Sequence, residues 1–282
     1  MLGRLQNCRM RGLRVHHAVN RFVGRGGRAG TCRGSSWRAF SSPPSAPSPS
    51  SSSATAEEKR RFDLYLEELF EYNSKFNLTA VKTREEAHER HIEDSLALIP
   101  VLDEYAAAAR GDGGGLKVVD VGTGAGLPGL VLAVKRPEWN ITLLDSLQKR
   151  CNFLSQIKSK LDLANVDVKW SRAEDFARDG ARRGSYDIAT ARAVAELRVL
   201  VELTVPMLRV GGFLVAAKGP DPEQEVEDAS RALLELNSEV VTIDRVSSFG
   251  SHGQRTVVVI QKKGETPDKY PRQAGRPNKR PL

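Results

Sequence analysis

The first 56 residues contain neither an acidic residue nor a lysine, and no apolar run in the 282-residue chain approaches the ~18 residues of a membrane-spanning helix. Cysteine is nearly as scarce. Of three, Cys8 and Cys32 lie in the acid-free leader, so Cys151 stands alone in the remainder. A disulfide framework or a cysteine metal site there is excluded, and a reducing compartment is the natural setting. No internal repeat divides the chain.

What the leader does have is nine arginines and then a Ser/Pro-rich run, the composition of an organelle transit peptide, which assigns residues 1–56 to a disordered leader. Trp37-Arg38-Ala39-Phe40-Ser41 has the look of a matrix-type processing site, while the Ser/Pro run suits a plastid equally. The expected destination is an organelle interior, chloroplast stroma or mitochondrial matrix. A disordered nucleic-acid-binding arm is the plainer alternative. Charge is distributed unevenly. The net charge is +8, and removing nine leader arginines leaves −1 for residues 57–282. Residues 261–282 hold seven Lys or Arg against Glu265 and Asp268, so residues 57–260 sum to −6. Attraction to phosphate must come from the tail and from local patches.

With 40% hydrophobic residues, the remainder suffices for one sizeable core and a small appendage. Phe62, Tyr65, Leu66, Leu69 and Phe70 recur at helical spacing over 57–72. Thr83 with Glu86 spells a capping box, and a helix over 92–109 should bend or break near Pro100 before the glycines of 111–115. Residues 57–110 are thus expected to form a small helical cap. Strands follow at 117–121, 140–145, 166–170, 186–191, 212–217, 240–246 and 256–262, with helices at 128–136, 147–161, 196–208 and 222–236. This alternation predicts an α/β domain over 116–263 with a mainly parallel seven-stranded sheet, the last strand antiparallel, and ligands at the strands' carboxyl ends. Residues 264–282 form a basic Pro-rich tail.

The chemistry concentrates at 118–129, Val-Val-Asp-Val-Gly-Thr-Gly-Ala-Gly-Leu-Pro-Gly, an apolar strand breaking into a glycine turn before a helix. The glycines fit a dinucleotide pattern and a G-x-G-x-G pattern equally. Asp145, ending the second strand, suits the ribose hydroxyls of either ligand. Asp120 discriminates. An acid within the first strand would repel a pyrophosphate, whereas S-adenosylmethionine carries an ammonium and a sulfonium and no phosphate. The plain alternatives are that Asp120 bonds the glycine-loop amides and that Asp145 caps the next helix with Ser146. An NAD-dependent oxidoreductase and a non-catalytic RNA-binding ribosome assembly factor remain as other classes.

Four motifs in register resemble the glucose-inhibited division protein B family, methyltransferases that make 7-methylguanosine in 16S-type ribosomal RNA. They are Asn73 to Thr79 (NSKFNLT), Arg90 to Ser95 (RHIEDS), Asp120 to Gly129, and Leu143 to Leu147 followed by Lys149-Arg150. Ser171-Arg172-Ala173-Glu174, Ala191-Arg192-Ala193, Lys218-Gly219 and the tail from Lys269-Tyr270-Pro271-Arg272 to Leu282 continue the likeness over 57–282. Ala125 departs from the proline that many members carry.

The resemblance implies a Rossmann-like, class I S-adenosylmethionine-dependent methyltransferase acting on the decoding-centre loop of small-subunit ribosomal RNA or of an assembling subunit, and the leader makes it an organelle-targeted member. It implies cofactor contacts at Gly122, Leu127, Ala173, Glu174 and Arg192, beside Asp120, Thr123, Gly124 and Asp145. Arg192 suits either the cofactor carboxylate or an RNA phosphate. Lys218, Lys269, Arg272, Lys279 and Arg280 are read as further RNA contacts. No metal and no membrane are expected, and the protein is expected to be a monomer. N7 of guanine offers a lone pair and loses no proton on methylation, so no general base is called for and alignment is the expected contribution. No Asn/Asp-Pro-Pro-aromatic motif follows the fourth strand, where Thr190-Ala191-Arg192-Ala193 stands; that favours a ring nitrogen over an exocyclic amine. His91 and Asp94, three apart, read more readily as packing between cap and sheet than as a catalytic pair.

Overall fold

A computed structural model describes residues 54–109, 115–250 and 253–282. The leader's processing site and most of the glycine stretch at 111–115 lie outside those residues. Helix α1 (Ala56–Phe76) begins on a reciprocal capping box: the Thr55 hydroxyl accepts from the Glu58 N–H at 3.2 Å, and the Glu58 carboxylate accepts from the Thr55 N–H at 2.7 Å. Phe62, Tyr65, Leu66 and Leu69 form its buried stripe. Asn77 ends it in the left-handed region, at φ 50°.

Helix α2 (Arg84–Ala87) starts on Thr83 as expected, but the Glu86 carboxylate turns to the Lys82 N–H at 3.4 Å, so only half of that box closes. A π-helical turn (His88–Glu93) leads into α3 (Asp94–Leu96), and α4 (Ile99–Ala109) follows. The single helix expected over 92–109 breaks at residues 97 and 98, because Pro100 has no N–H to carry the ladder across.

The alternating part contains β1 (Lys117–Val121), α5 (Gly129–Lys135), β2 (Asn140–Asp145), α6 (Gln148–Lys160), β3 (Val166–Trp170), α7 (Ala173–Arg178) and β4 (Tyr186–Arg192). It continues with α8 (Leu197–Thr204) and its 3-10 extension (Val205–Met207), β5 (Leu208–Lys218), α9 (Glu223–Asp228), α10 (Ser230–Glu235), β6 (Ser238–Gly250) and β7 (Gly253–Lys262). The helix expected over 222–236 is two. Ala229, at φ −83° and ψ −4°, tightens the chain so that α10 buries Ala232 and Leu233 while α9 buries nothing.

The seven strands lie in the order β3-β2-β1-β4-β5-β7-β6, and β7 alone runs against the others. Alternate residues of each strand feed two cores. Val118, Ile141, Ile188 and Val257 pack with α1, α4, α5 and α6, and Val119, Leu144, Ala189 and Val258 pack with α8 and α10. At about 25 cal/mol per Å² of apolar surface removed from water, these faces drive the fold. Among the described residues no helix is long and apolar enough to cross a membrane.

The tail is folded onto the α8/α10 face. Tyr270 is buried, and the Arg183 guanidinium donates to the Tyr270 and Thr266 carbonyls, both at 2.7 Å. Arg272 donates its backbone N–H and guanidinium to Glu202, whose side chain is fully buried on α8. A short helix, α11 (Arg276–Lys279), ends the chain.

Candidate active site

The glycine turn leaves the carboxyl end of β1 at the middle of the sheet, where β1 pairs with β2 on one side and β4 on the other. The Gly122 and Thr123 N–H groups donate to the Leu144 carbonyl at 2.8 and 3.1 Å, which anchors the turn to β2. Gly122 has φ +68°, and a Cβ there would meet Val194 at 2.8 Å, so only glycine fits. Gly124 has φ +62°, yet a Cβ there would meet nothing nearer than the Gly122 carbonyl at 3.9 Å; the backbone faces open space. That open face is a cradle. Leu127 is buried behind it, and α5 begins at Gly129 with Pro128 at the cap, one residue later than the spacing suggested.

Asp120 is completely buried. One oxygen accepts from the Thr123 hydroxyl at 2.6 Å and the Gly129 N–H at 2.8 Å; the other has no partner. Burial pushes its carboxyl up to about 6. Asp120 therefore ties the two ends of the turn together, the plainer of the two roles considered from sequence. Asp145, also buried, accepts from the Leu147 N–H at 2.9 Å, the Gly124 N–H at 3.0 Å and Arg150 at 3.2 Å. Its carboxylate thus meets the open turn from the β2 side; Oδ2 takes the Gly124 and Arg150 donors, and Oδ1, which takes only the Leu147 N–H, retains a lone pair.

The helical cap closes the turn from the other face. The Tyr65 hydroxyl of α1 donates to the Ala125 carbonyl at 3.0 Å, across 60 residues of sequence. Burial raises the phenol's pKa, so it stays a donor. Nothing in the spacing of Tyr65 distinguished it from a core residue. Arg192 leaves β4 and donates to the Arg90 carbonyl at 3.0 Å, with Tyr65, Asp94, Asp120 and the like-charged Arg255 among the groups that act on its charge.

The first two motifs interlock. Asn73 accepts from the Thr79 N–H at 2.9 Å and donates to the Thr79 carbonyl at 3.1 Å, and the Thr79 hydroxyl meets His91 Nε2 at 2.9 Å. Burial lowers the His91 pKa to about 4, so the ring is neutral, and Nδ1 has no partner. Asp94 accepts from Ser248 and, at 3.2 Å, from Arg255, which fastens α3 to β6 and β7. His91 and Asp94 serve different contacts and make no pair.

A family model described as GidB, rRNA small subunit methyltransferase G, matches residues 58–257. The ribosomal RNA small subunit methyltransferase G of Streptococcus agalactiae serotype V is 42% identical over 228 residues, covering 81% of this chain and 93% of the relative. The chain belongs to the GidB family. The protein of the same name from Streptococcus pyogenes serotype M1 is 41% identical over 230 residues, covering 82% and 94%. Among solved structures, a SAM-dependent methyltransferase from Aquifex aeolicus aligns at 19% identity and a TM-score of 0.45, covering 62% of this chain and 93% of that one.

In this GidB-family chain the remaining expected site residues divide. Ala173 and Glu174 open α7 just beyond β3, and Glu174 is buried, but one of its oxygens accepts from the Gly275 N–H of the tail at 2.7 Å. Lys218, expected to meet RNA, donates its Nζ to the Ala195 carbonyl at 2.9 Å and pairs with Glu225 at 2.5 Å, so its charge has a partner within the fold. Arg272 is likewise held by Glu202, and Lys269 pairs with Glu235 at 3.0 Å. Lys279 and Arg280 are exposed, with no acidic partner among the described residues.

Proposed function

We propose that this protein transfers a methyl group from S-adenosylmethionine to N7 of a guanine in small-subunit ribosomal RNA, and that it does so inside an organelle. The observation that carries the reading is the open glycine turn at the middle of the sheet, flanked by Asp145, in a chain of the GidB family. The residues present fit the cofactor: Gly124 faces free space, Asp145 can accept from ribose hydroxyls, and Leu127 and Ala173 offer apolar walls. Gly122, Thr123 and Gly124 would follow the amino-acid portion, Glu174's second oxygen the adenine amino group, and Arg192 the carboxylate end. When bound, S-adenosylmethionine supplies an electrophilic methyl on a cationic sulfur.

The chain's own task is then alignment. N7 brings its lone pair in the plane of the base and surrenders no proton, so no side chain has to act as a base. That agrees with a site whose histidine is neutral and hydrogen-bonded to Thr79, and whose Asp120 is bound to its own turn. Tyr65 and Asp120 hold the turn rigid from opposite sides, and Arg192, already desolvated and fixed to Arg90, offers a cation that need not reorganise. RNA phosphates are left to exposed cations such as Lys279 and Arg280. The acid-free leader supports the organelle assignment.

Transfer of labelled methyl from S-adenosylmethionine to small-subunit ribosomal RNA, with the product mapped by strand scission at 7-methylguanosine, tests the reaction. Label on an exocyclic amine or on no RNA would overturn it. Fluorescence microscopy of a fusion carrying residues 1–53 tests the destination; a cytosolic signal would remove the organelle assignment.

A further inference from the structure

Phe76, Leu147 and Trp170 are among the exposed large apolar residues of the described surface, and hydrogen bonds through Ser146 and Lys149 place them at one corner. Trp170 ends β3 opposite Asp145 of β2, and its indole N–H donates to the Ser146 carbonyl at 3.1 Å, next to Leu147. Lys149, in the first turn of α6, donates to the Phe76 carbonyl at 3.2 Å. The Trp170 side chain is thus pinned at its nitrogen while the residue remains 59% exposed. An indole held by its polar atom with its apolar surface left to water has a hydrogen bond satisfied and burial forgone.

Cations outnumber acids around the corner. Arg172, two residues beyond Trp170, is exposed and has no side-chain partner among the described residues. Glu174, two residues further, accepts from the Gly275 N–H, which places the exposed Arg276 at this end of the sheet as well. Nearby acids are mostly engaged. Asp145 is buried against Arg150, Asp167 pairs with Lys169 at 2.9 Å, and Glu71 pairs with Lys75 at 3.5 Å; Asp175 remains exposed. An anchored aromatic surface rimmed by free cations is the chemistry that takes single-stranded nucleic acid, bases on the rings and phosphates on the cations.

We propose that this corner docks single-stranded ribosomal RNA beside the target guanine, with an unpaired base stacked on Trp170 and its phosphates on Lys149, Arg172 and Arg276. The proposal rests on the methyltransferase reading and deepens it by naming where the substrate strand lies outside the cofactor cradle.

Steady-state methylation by the full-length protein tests it, with cofactor affinity measured by calorimetry alongside. Trp170→Ala is expected to raise the RNA KM by about tenfold, with kcat and cofactor affinity unchanged. Trp170→Phe keeps a stacking face and loses the indole N–H, so it should recover most of the wild-type KM. Arg172→Ala should flatten the dependence of log KM on log salt by about 0.7. An unchanged KM in Trp170→Ala overturns the proposal. So does a matching loss of cofactor affinity, or a Trp170→Phe as impaired as Trp170→Ala, because either would mean that Trp170 merely shapes the Ser146 loop. If the wild-type protein methylates no RNA, the functional reading fails separately. The corner is then judged on binding: quenching by single-stranded RNA of the emission that wild type has and Trp170→Phe lacks supports it, and absence of quenching overturns it.

Discussion

Replacing Arg272 with alanine would strand a carboxylate in the core. Glu202 is fully buried on α8 and accepts from the Arg272 backbone N–H at 2.8 Å and from the guanidinium at 2.8 and 2.5 Å. Truncation removes the guanidinium and leaves one donor. Breaking a buried pair by deleting one partner costs about 3–5 kcal/mol, because the remaining charge is uncompensated. The Arg272 side chain is 18% exposed, so water can follow into the gap, and the lower end, about 3 kcal/mol, is the expected loss. Against a total stability of roughly 5–15 kcal/mol, that is readily measured by equilibrium urea unfolding of the full-length protein. Adding Glu202→Gln to Arg272→Ala should recover about half of the loss, since a buried neutral amide costs only about 1–3 kcal/mol. A loss below about 1 kcal/mol, the worth of an exposed ion pair, would refute the docked tail.

Thr55→Ala should destabilise by about 1 kcal/mol through loss of the α1 cap, measured by thermal unfolding. Asp145→Ala should weaken S-adenosylmethionine binding by about 1–3 kcal/mol in calorimetry, and wild-type affinity would remove the ribose assignment. His91, held near 4 in the fold against 6.5 as its ordinary value, contributes stability that is complete above pH 6.5 and lost as pH falls towards 4. His91→Gln should flatten the stability curve in that window. Asp120 has the opposite sign: raised to about 6 from 3.8, it contributes most below 3.8 and loses that contribution as pH rises through 6, so Asp120→Asn should steepen the acid-side fall.

Strands β1 and β2 were legible to the residue because buried parallel strands read as short apolar runs between turn residues, and the edge strand β3 because Val166, Val168 and Trp170 alternate with Asp167 and Lys169. Asp120 was legible as an anomaly in such a run, though its bonds to Thr123 and Gly129 needed the folded turn to be seen. Helix α7, six residues long, is too short to show a period. The Tyr65 hydroxyl and the Arg192 guanidinium were opaque for a different reason. Their partners, the Ala125 and Arg90 carbonyls, are backbone atoms, which carry no trace in residue type. The tail misled because its composition is that of a solvated end, while its fate is decided by Glu202, 70 residues earlier on a helix that otherwise reads as core.

The same pairings change what the tail's charge means. Of the seven cations in 261–282, Lys262 is buried against the Leu208 carbonyl, Lys263 pairs with Glu239, Lys269 with Glu235, and Arg272 with Glu202. Arg276, Lys279 and Arg280 remain exposed without an acidic partner among the described residues, and they follow directly on the Gly275 N–H that holds Glu174. Electrostatic attraction to single-stranded RNA scales with phosphates neutralised, at about 0.7 in log-log salt slope for each, so three free cations can contribute a slope of only about 2. A diffuse basic arm would have offered more charge and no address. The folded tail offers fewer charges at a fixed place, beside Glu174, while the helical cap braces the glycine turn and Arg192 through Tyr65 and Arg90. The two ends of the described chain therefore converge on one carboxyl edge of the sheet, where the tail holds Glu174 and the cap holds the glycine turn, so loss of either should loosen that edge as well as a core.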